Sequence, residues 1–196
     1  NHEEFIGLYV KKAEIADKAP MPVTELSFQP NVNGGTVGII QCKAPTKAAD
    51  GTALNGQVKV KICSGDEILT EQTVAPGATV KKGNVSFDAN KLYSLFANAS
   101  NEAGQSSKVT TTVFIGKDVA TSPSNVNLTL NNKVATLTWD APTVGLNDGY
   151  INLDEVTYNV TRLMGDSSST VVAKNIKNAT FKETLPNTTG KYSYKV

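Results

Sequence analysis

One histidine, one tryptophan and two cysteines are all that this chain of 196 residues holds of those types, and each scarcity closes a class of function. The histidine, His2, stands beside the amino end, so no imidazole base is left elsewhere for a serine or cysteine nucleophile. Cys42 and Cys63 are too few to knit a disulfide scaffold. Aromatics make up 7% and hydrophobic residues 39%, thin stock for one large core and better suited to two small ones. Nineteen basic and eighteen acidic residues leave a net charge of +1, with no basic stripe to make a nucleic-acid footprint. No run reaches the roughly 18 apolar residues of a membrane span. The opening NHEEFIGLYV starts acidic and its apolar run is short, unlike a signal peptide, so it reads as the start of a mature or excised piece.

What is plentiful is Thr, Val, Ser, Asn and Gly, the vocabulary of strands and turns. In YSLFANASNEAGQS, the residues Tyr93, Leu95, Ala97 and Ala99 alternate at period two, and Asn101 and Gly104 then turn the chain. The pattern occurs twice. GIIQCKAPT (38–46) matches ATLTWDAPT (135–143), with Cys42 aligned on Trp139, 97 positions on. An Asp-Gly turn follows in each, at Asp50-Gly51 and Asp148-Gly149, then an alternating strand: Val58, Val60, Ile62 in one copy and Val156, Tyr158, Val160 in the other. Tyr93 aligns with Tyr192, 99 positions on. Short strands and frequent turns repeating near 100 residues predict two β-sandwiches.

In these residues the chain resembles tandem fibronectin type III domains over roughly residues 22–196. The second copy carries Pro123, Val126, Leu128, Leu137, Trp139 and the Ala141-Pro142 exit; the first carries Tyr93, Leu95, Ala97, Ala99, Asn101, Gly104 and Ser106. The low cysteine count and the NDGYINLDEVTYNV loop resemble the type III modules of Bacteroidetes surface proteins. The fold class implied is all-β: two tandem immunoglobulin-like antiparallel sandwiches, the second lacking its last strand. The expected divisions are an extended strand, linker or tail of a preceding domain over 1–21, then domains over 22–117 and 118–196. The resemblance assigns structural roles. Trp139 is a core residue and Cys42 stands where the family has its tryptophan, so its neighbours must repack. Tyr93, and Tyr192 after it, are corner tyrosines whose hydroxyl bonds nearby backbone. The chain stops at Val196, partway along the second copy's sixth strand, which predicts an open sheet edge. The segment around Phe5, Ile6, Leu8 and Val10 is either a preceding domain's tail or a strand that covers such an edge.

Cys42 is expected to face inward and Cys63 outward, which separates the two thiols. The linker 116–122 is short and limits freedom. Loop 144–154 is expected near the turn 30–35, with Tyr150 and Ile151 packing locally, at the domain junction or against a ligand. Asp148, Asp154 and Glu155 lack the regular alternation of a calcium loop. Six N-x-[ST] sequons begin at Asn84, Asn98, Asn127, Asn159, Asn178 and Asn187; no Arg-Gly-Asp triplet occurs. The expected function is a non-enzymatic extracellular module pair that spaces, adheres or binds protein, with no catalytic residue, metal or cofactor. The rivals are accessory domains of a larger secreted protease or glycosidase, and a carbohydrate-binding module, which would need an exposed aromatic platform. Expected partners are other domains of the same polypeptide, or surface proteins or glycans, with a possible edge-strand dimer. The expected location is the cell surface or outside, anchored to the outer membrane in a bacterium.

Overall fold

The computed structural model describes residues 18–88, 90–165, 168–186 and 189–196. Phe5 and Leu8, and the sequon at Asn187, lie outside these residues. The first copy forms β1 (Thr24–Pro30), β2 (Val37–Lys43), β3 (Val58–Ser64), β4 (Glu67–Val74), β5 (Thr79–Ser86), β6 (Lys91–Asn101), the two-residue β7 (Gly104–Gln105) and β8 (Val109–Ile115). The second forms β9 (Ser124–Asn131), β10 (Val134–Asp140), a one-turn 3-10 helix (Leu153–Glu155), β11 (Tyr158–Met164), β12 (Ser168–Ile176), β13 (Thr180–Thr184) and β14 (Tyr192–Lys195). No α-helix occurs among the described residues. The fold is all-β, as the period-two patterns predict.

Strand order is β1-β2-β5 in one sheet and β4-β3-β6-β7 in another, with β8 also on β6. The second copy gives β13-β10-β9 and β12-β11-β14. The pairs β3–β4, β3–β6, β9–β10, β10–β13, β11–β12 and β11–β14 are antiparallel. By its contacts the chain forms two compact units. One holds Ile40–Lys82 and Leu95–Thr111 with the described residues up to Ser27; the other holds Phe28–Ile39, Gly83–Ser94 and Thr112–Val196.

In the first unit, Ile40 and Cys42 of β2, Val80 of β5, Val58, Val60 and Ile62 of β3 and Leu95, Ala97 and Ala99 of β6 are all buried. These are the alternate positions of each strand, so pattern and packing agree. Cys42 is 1% exposed and burial pushes its thiol up to about 11. Cys63, expected to face outward, is buried at 3%. It stands opposite Phe96 on β6, whose ring carries Lys108 Nζ at 4.3 Å, and opposite Ile68 on β4 past a register shift. Outward therefore does not mean wet. Both cysteines are free thiols. The turn after β6 uses Asn101 and Gly104 as a pair. Asn101 Oδ1 accepts from Ala103 N at 3.0 Å and Nδ2 donates to Lys18 O at 2.9 Å. Gly104 has φ +147, and a Cβ there would come within 3.2 Å of the Ala19 Cβ.

In the second unit, Leu137 and Trp139 of β10 bury against Tyr158 and Val160 of β11, with Phe181, Tyr194 and Val196 packed on the rim. Trp139 is 5% exposed and meets the Tyr158 ring edge-on at 5.2 Å. Its Nε1 has no hydrogen-bond partner among the described residues. The same unit holds a second aromatic cluster: Phe28 meets Phe87 edge-on at 5.1 Å, and Phe87 meets Tyr93 at 4.6 Å.

Candidate functional site

The densest polar constellation in the second unit joins residues 116–121 to loop 144–155. β8 ends on the buried Ile115, and Gly116 follows at φ +102. Lys117 N then donates to Asn90 Oδ1 at 3.2 Å, and Asp118 N donates to Tyr150 O at 2.7 Å. Leu146 N donates to Val119 O at 2.8 Å, and Thr121 donates through Oγ1 to Val144 O at 3.1 Å. A segment that could have run free is instead laced to the loop like a short strand.

Asp118 is the centre of this lacing. One carboxylate oxygen accepts from Asn147 N at 2.7 Å and Gly149 N at 3.1 Å; the other accepts from Val119 N at 2.7 Å and Asn147 Nδ2 at 3.0 Å. The local sequence provides the cradle. Gly145 N donates to Gly149 O at 3.0 Å, and Asp148 N to Gly145 O at 3.1 Å with Asp148 at φ 57, so the tight turn aims its N–H groups inward. Desolvation pushes the Asp118 carboxyl up, but the bonds from the Asn147 side chain and backbone, Val119 and Gly149 outweigh it and hold the group below the usual range. A second pair closes the rim. Lys117 Nζ lies 2.9 and 3.2 Å from the two oxygens of Glu155, and Asn152 Nδ2 donates to Glu155 Oε1 at 2.9 Å. The Lys117 bond and then the Asn152 bond hold Glu155 below its ordinary value.

Chemically this is a clasp. Four N–H donors occupy the Asp118 oxygens, which leaves them ill placed to ligate a cation, and a carboxyl held ionised is no general acid at neutral pH. Among the described residues no group of three His, Cys, Asp or Glu side chains is placed to hold a metal. Tyr150 and Ile151 flank the clasp. Ile151 is buried; Tyr150 is partly exposed. A Cβ on Gly34, at φ +71, would fall 2.5 Å from Tyr150 Cδ1, so glycine admits the ring. The ring lines a cavity of about 160 Å³ together with Phe28, Pro30, Phe114 and Ile115.

The other expected residues serve the fold. Trp139 and Cys42 are core, and Asn101 and Gly104 form the turn after β6. Tyr93 is half-buried on Phe87, with Lys91 Nζ 5.0 Å from its ring centre. Tyr192 departs from the corner role. Its hydroxyl is buried and has no hydrogen-bond partner among the described residues. The bonded hydroxyl in that strand is Tyr194, which donates to the Glu183 side chain at 2.7 Å. Sequence reasoning missed Asp118, Lys117 and Asn147, and weighed Glu155 only as a calcium-loop carboxylate. The available signal was an acid inside a short linker and an Asn-Asp-Gly turn downstream.

No protein-family model matches the chain, and no curated protein matches it. Its solved structural neighbours are fibronectin type III tandems. The chicken CNTN1 FN1-FN3 domains align at 13% identity with a TM-score of 0.37, over 91% of this chain and 60% of that one. A two-domain fibronectin type III segment of chicken tenascin aligns at 16% identity with a TM-score of 0.33, over 87% of each chain. The chain thus spans 60% of the CNTN1 segment's length.

Proposed function

We propose that the chain is a non-enzymatic pair of fibronectin type III-like modules, divided near residues 117 and 118, that spaces and orients neighbouring parts of a secreted or surface protein. The observation that carries this reading is the Asp118 clasp: the segment a flexible tether would leave loose is tied by backbone and side-chain bonds. A spacer transmits orientation only when its connecting segment is ordered. The burial of Trp139 and Tyr158 withdraws both rings from any sugar-stacking platform, which favours spacing and protein contact over glycan binding. Its partners are then other domains of the same polypeptide or proteins of the cell surface. No helix among the described residues is long and apolar enough to cross a membrane.

Amide ¹⁵N relaxation on the full chain tests this. Residues 116–121 should show order parameters near the rigid-backbone value of about 0.85, and values below about 0.6 would refute the ordered-spacer reading. Asp118→Ala should lower them selectively while leaving β10 and β11 unchanged.

A further inference from the structure

Four Asn-Gly or Asp-Gly pairs occur in the chain: Asn33-Gly34, Asp50-Gly51, Asn55-Gly56 and Asp148-Gly149. At such pairs a backbone nitrogen can attack the preceding side chain, because glycine has no β-carbon to hinder it. Three of the four are held by contacts already in place. Gly51 N donates to Ala48 O at 2.9 Å, and the Asp50 carboxylate accepts from Thr52 and Lys18. Gly149 N donates to the Asp118 carboxylate at 3.1 Å. Asn55 and Gly56 both have partners.

Asn33-Gly34 differs. It forms the centre of the turn between β1 and β2, closed by Gly35 N donating to Val32 O at 2.9 Å. Of the two central residues only Gly34 has a positive φ, at +71, which makes the turn type II. The closing bond uses the nitrogen of Gly35, so that of Gly34 is left over. Among the described residues neither Gly34 N nor the Asn33 amide has a hydrogen-bond partner, and Asn33 is exposed. Nucleophile, electrophile and water all meet at this pair.

We propose that Asn33 is a self-modifying site, which converts to isoaspartate and thereby loosens the Asp118 clasp. Gly34 N gives its proton to a solvent base, and its electron pair forms a bond to Asn33 Cγ. The Cγ–Nδ2 bond breaks, and ammonia leaves with a proton from water. The product is a cyclic imide, which water opens at either carbonyl. Opening at Cγ gives aspartate. Opening at the backbone carbonyl gives isoaspartate, whose main chain runs through Cβ and Cγ and is one carbon longer. The sum is one water in and one ammonia out, with no change of oxidation state.

The turn reports to the clasp because it has no slack. A Cβ on Gly34 would fall 2.5 Å from Tyr150 Cδ1 and 3.0 Å from Lys117 Cγ. An added chain carbon between Val32 and Gly35 therefore cannot be absorbed without moving Gly34 against that ring. Tyr150 O accepts from Asp118 N at 2.7 Å, so a displaced Tyr150 pulls on the clasp directly. The new carboxylate also stands near the Lys117 side chain, whose Nζ lies 2.9 Å from Glu155 Oε1, and competes with Glu155 for that cation. The chemistry rests on the turn alone and stands whatever the chain spaces.

The test ages the full chain in mildly alkaline buffer and samples it over weeks. Peptide mapping by mass spectrometry locates each conversion, and isoaspartyl methyltransferase marks the isoaspartate. A partnered group must shed its contact before it reacts, so Asn33 should convert at least about fivefold faster than Asn55. In the isoaspartate form, separated by ion exchange, hydrogen exchange at Asp118 N and Gly149 N should quicken about fivefold, the effect of one weakened hydrogen bond. β10 and β11 should exchange as in fresh protein. Asn33→Gln, whose side chain is too long to close the five-membered imide, should stay unmodified and keep the fresh pattern throughout. Conversion at Asn55 as fast as at Asn33 overturns the proposal. So does an isoaspartate form whose clasp exchanges as in fresh protein, and so does a clasp that loosens equally in aged Asn33→Gln.

Discussion

The two copies place different chemistry at one register position. In the first, Ser64 of β3 stands opposite Leu95 of β6, and Leu95 is fully buried among aliphatic neighbours. In the second, Arg162 of β11 stands opposite Tyr194 of β14. Arg162 Nη1 lies 2.7 Å from Glu183 Oε2 on β13, and the Tyr194 hydroxyl donates to Glu183 Oε1 at 2.7 Å. β13 belongs to the other sheet, so a polar triad bridges the sheets where the first copy sets Ser64 against the buried Leu95. Arg162 and Glu183 keep only 17% and 14% of their side-chain surface exposed. At matching positions the first copy buries a leucine and the second half-buries a tyrosine bonded to an ion pair. A satisfied ionic triad fills the space there without leaving orphaned charge.

The comparison is broken most forcefully at Trp139, which replaces the small Cys42 of the first copy. Trp139→Ala removes the centre of the four-residue core that also holds Leu137, Tyr158 and Val160. A urea titration should show a loss of about 3–5 kcal/mol. A loss under about 1 kcal/mol, the ordinary effect of a point change, would mean that the second copy does not depend on this ring.

Next comes the triad. Glu183→Gln leaves the Arg162 charge half-buried without a carboxylate and orphans half of its bonding, so stability should fall by about 1.5–3 kcal/mol. Replacing all three with Leu, which makes this end apolar, should restore at least the wild-type urea midpoint. A triple variant weaker than Glu183→Gln would show that the triad fits its site better than hydrocarbon can.

Tyr194→Phe is a smaller change, about 0.5–1.5 kcal/mol for one hydrogen bond. It carries a pH signature as well. Burial first, then the Glu183 bond and charge, push the Tyr194 hydroxyl well above the ordinary tyrosine value. The folded state therefore holds this proton more tightly than the unfolded chain does. Its contribution is complete below the unfolded value, about pH 10, and is lost as pH rises from there toward the folded value. Thermal midpoints should fall above about pH 10 in the wild type, and less steeply in Tyr194→Phe.

The sequence repeat made the strands and most of the core legible, because period two reports which way a side chain points. It does not report what lies over it. Leu128, part of the pattern that carries the resemblance, stands opposite the buried Leu137 and so shares its face, yet it is exposed. Cys63 read as outward and is nonetheless buried, opposite Phe96 and Ile68 in its ladders. The triad left a visible trace: Arg162 continues the inward row of Tyr158 and Val160, and a charge in such a row demands a partner. Nothing local named that partner, since Glu183 lies on another strand in another sheet. The Asp118 clasp was hidden for the same reason. Its donors sit 29 and 31 positions downstream, and hydrogen bonds to backbone N–H leave no mark in residue type at the donor.

The smallest effect separates the linker from both cores. Asp118 and Glu155 are exposed or half-exposed, and each is held below its ordinary range by bonds to its ionised form. A carboxyl with a depressed folded value contributes stability above its unfolded value, and that contribution is lost as pH falls through the folded value. The clasp should therefore be complete at neutral pH and loosen below about pH 4, where free carboxyls begin to protonate. Because the cores contain neither group, amide exchange should quicken at 116–121 and 145–150 on acidification before it quickens in β3, β6, β10 or β11. Asp118→Asn keeps the shape but turns an NH₂ toward N–H donors, so it should show the loosened exchange pattern already at pH 7 with little change in the urea midpoint. Simultaneous acid loosening of linker and cores would mean that the clasp has no stability of its own to lose, and that residues 116–121 are ordered only because the strands on either side of them are.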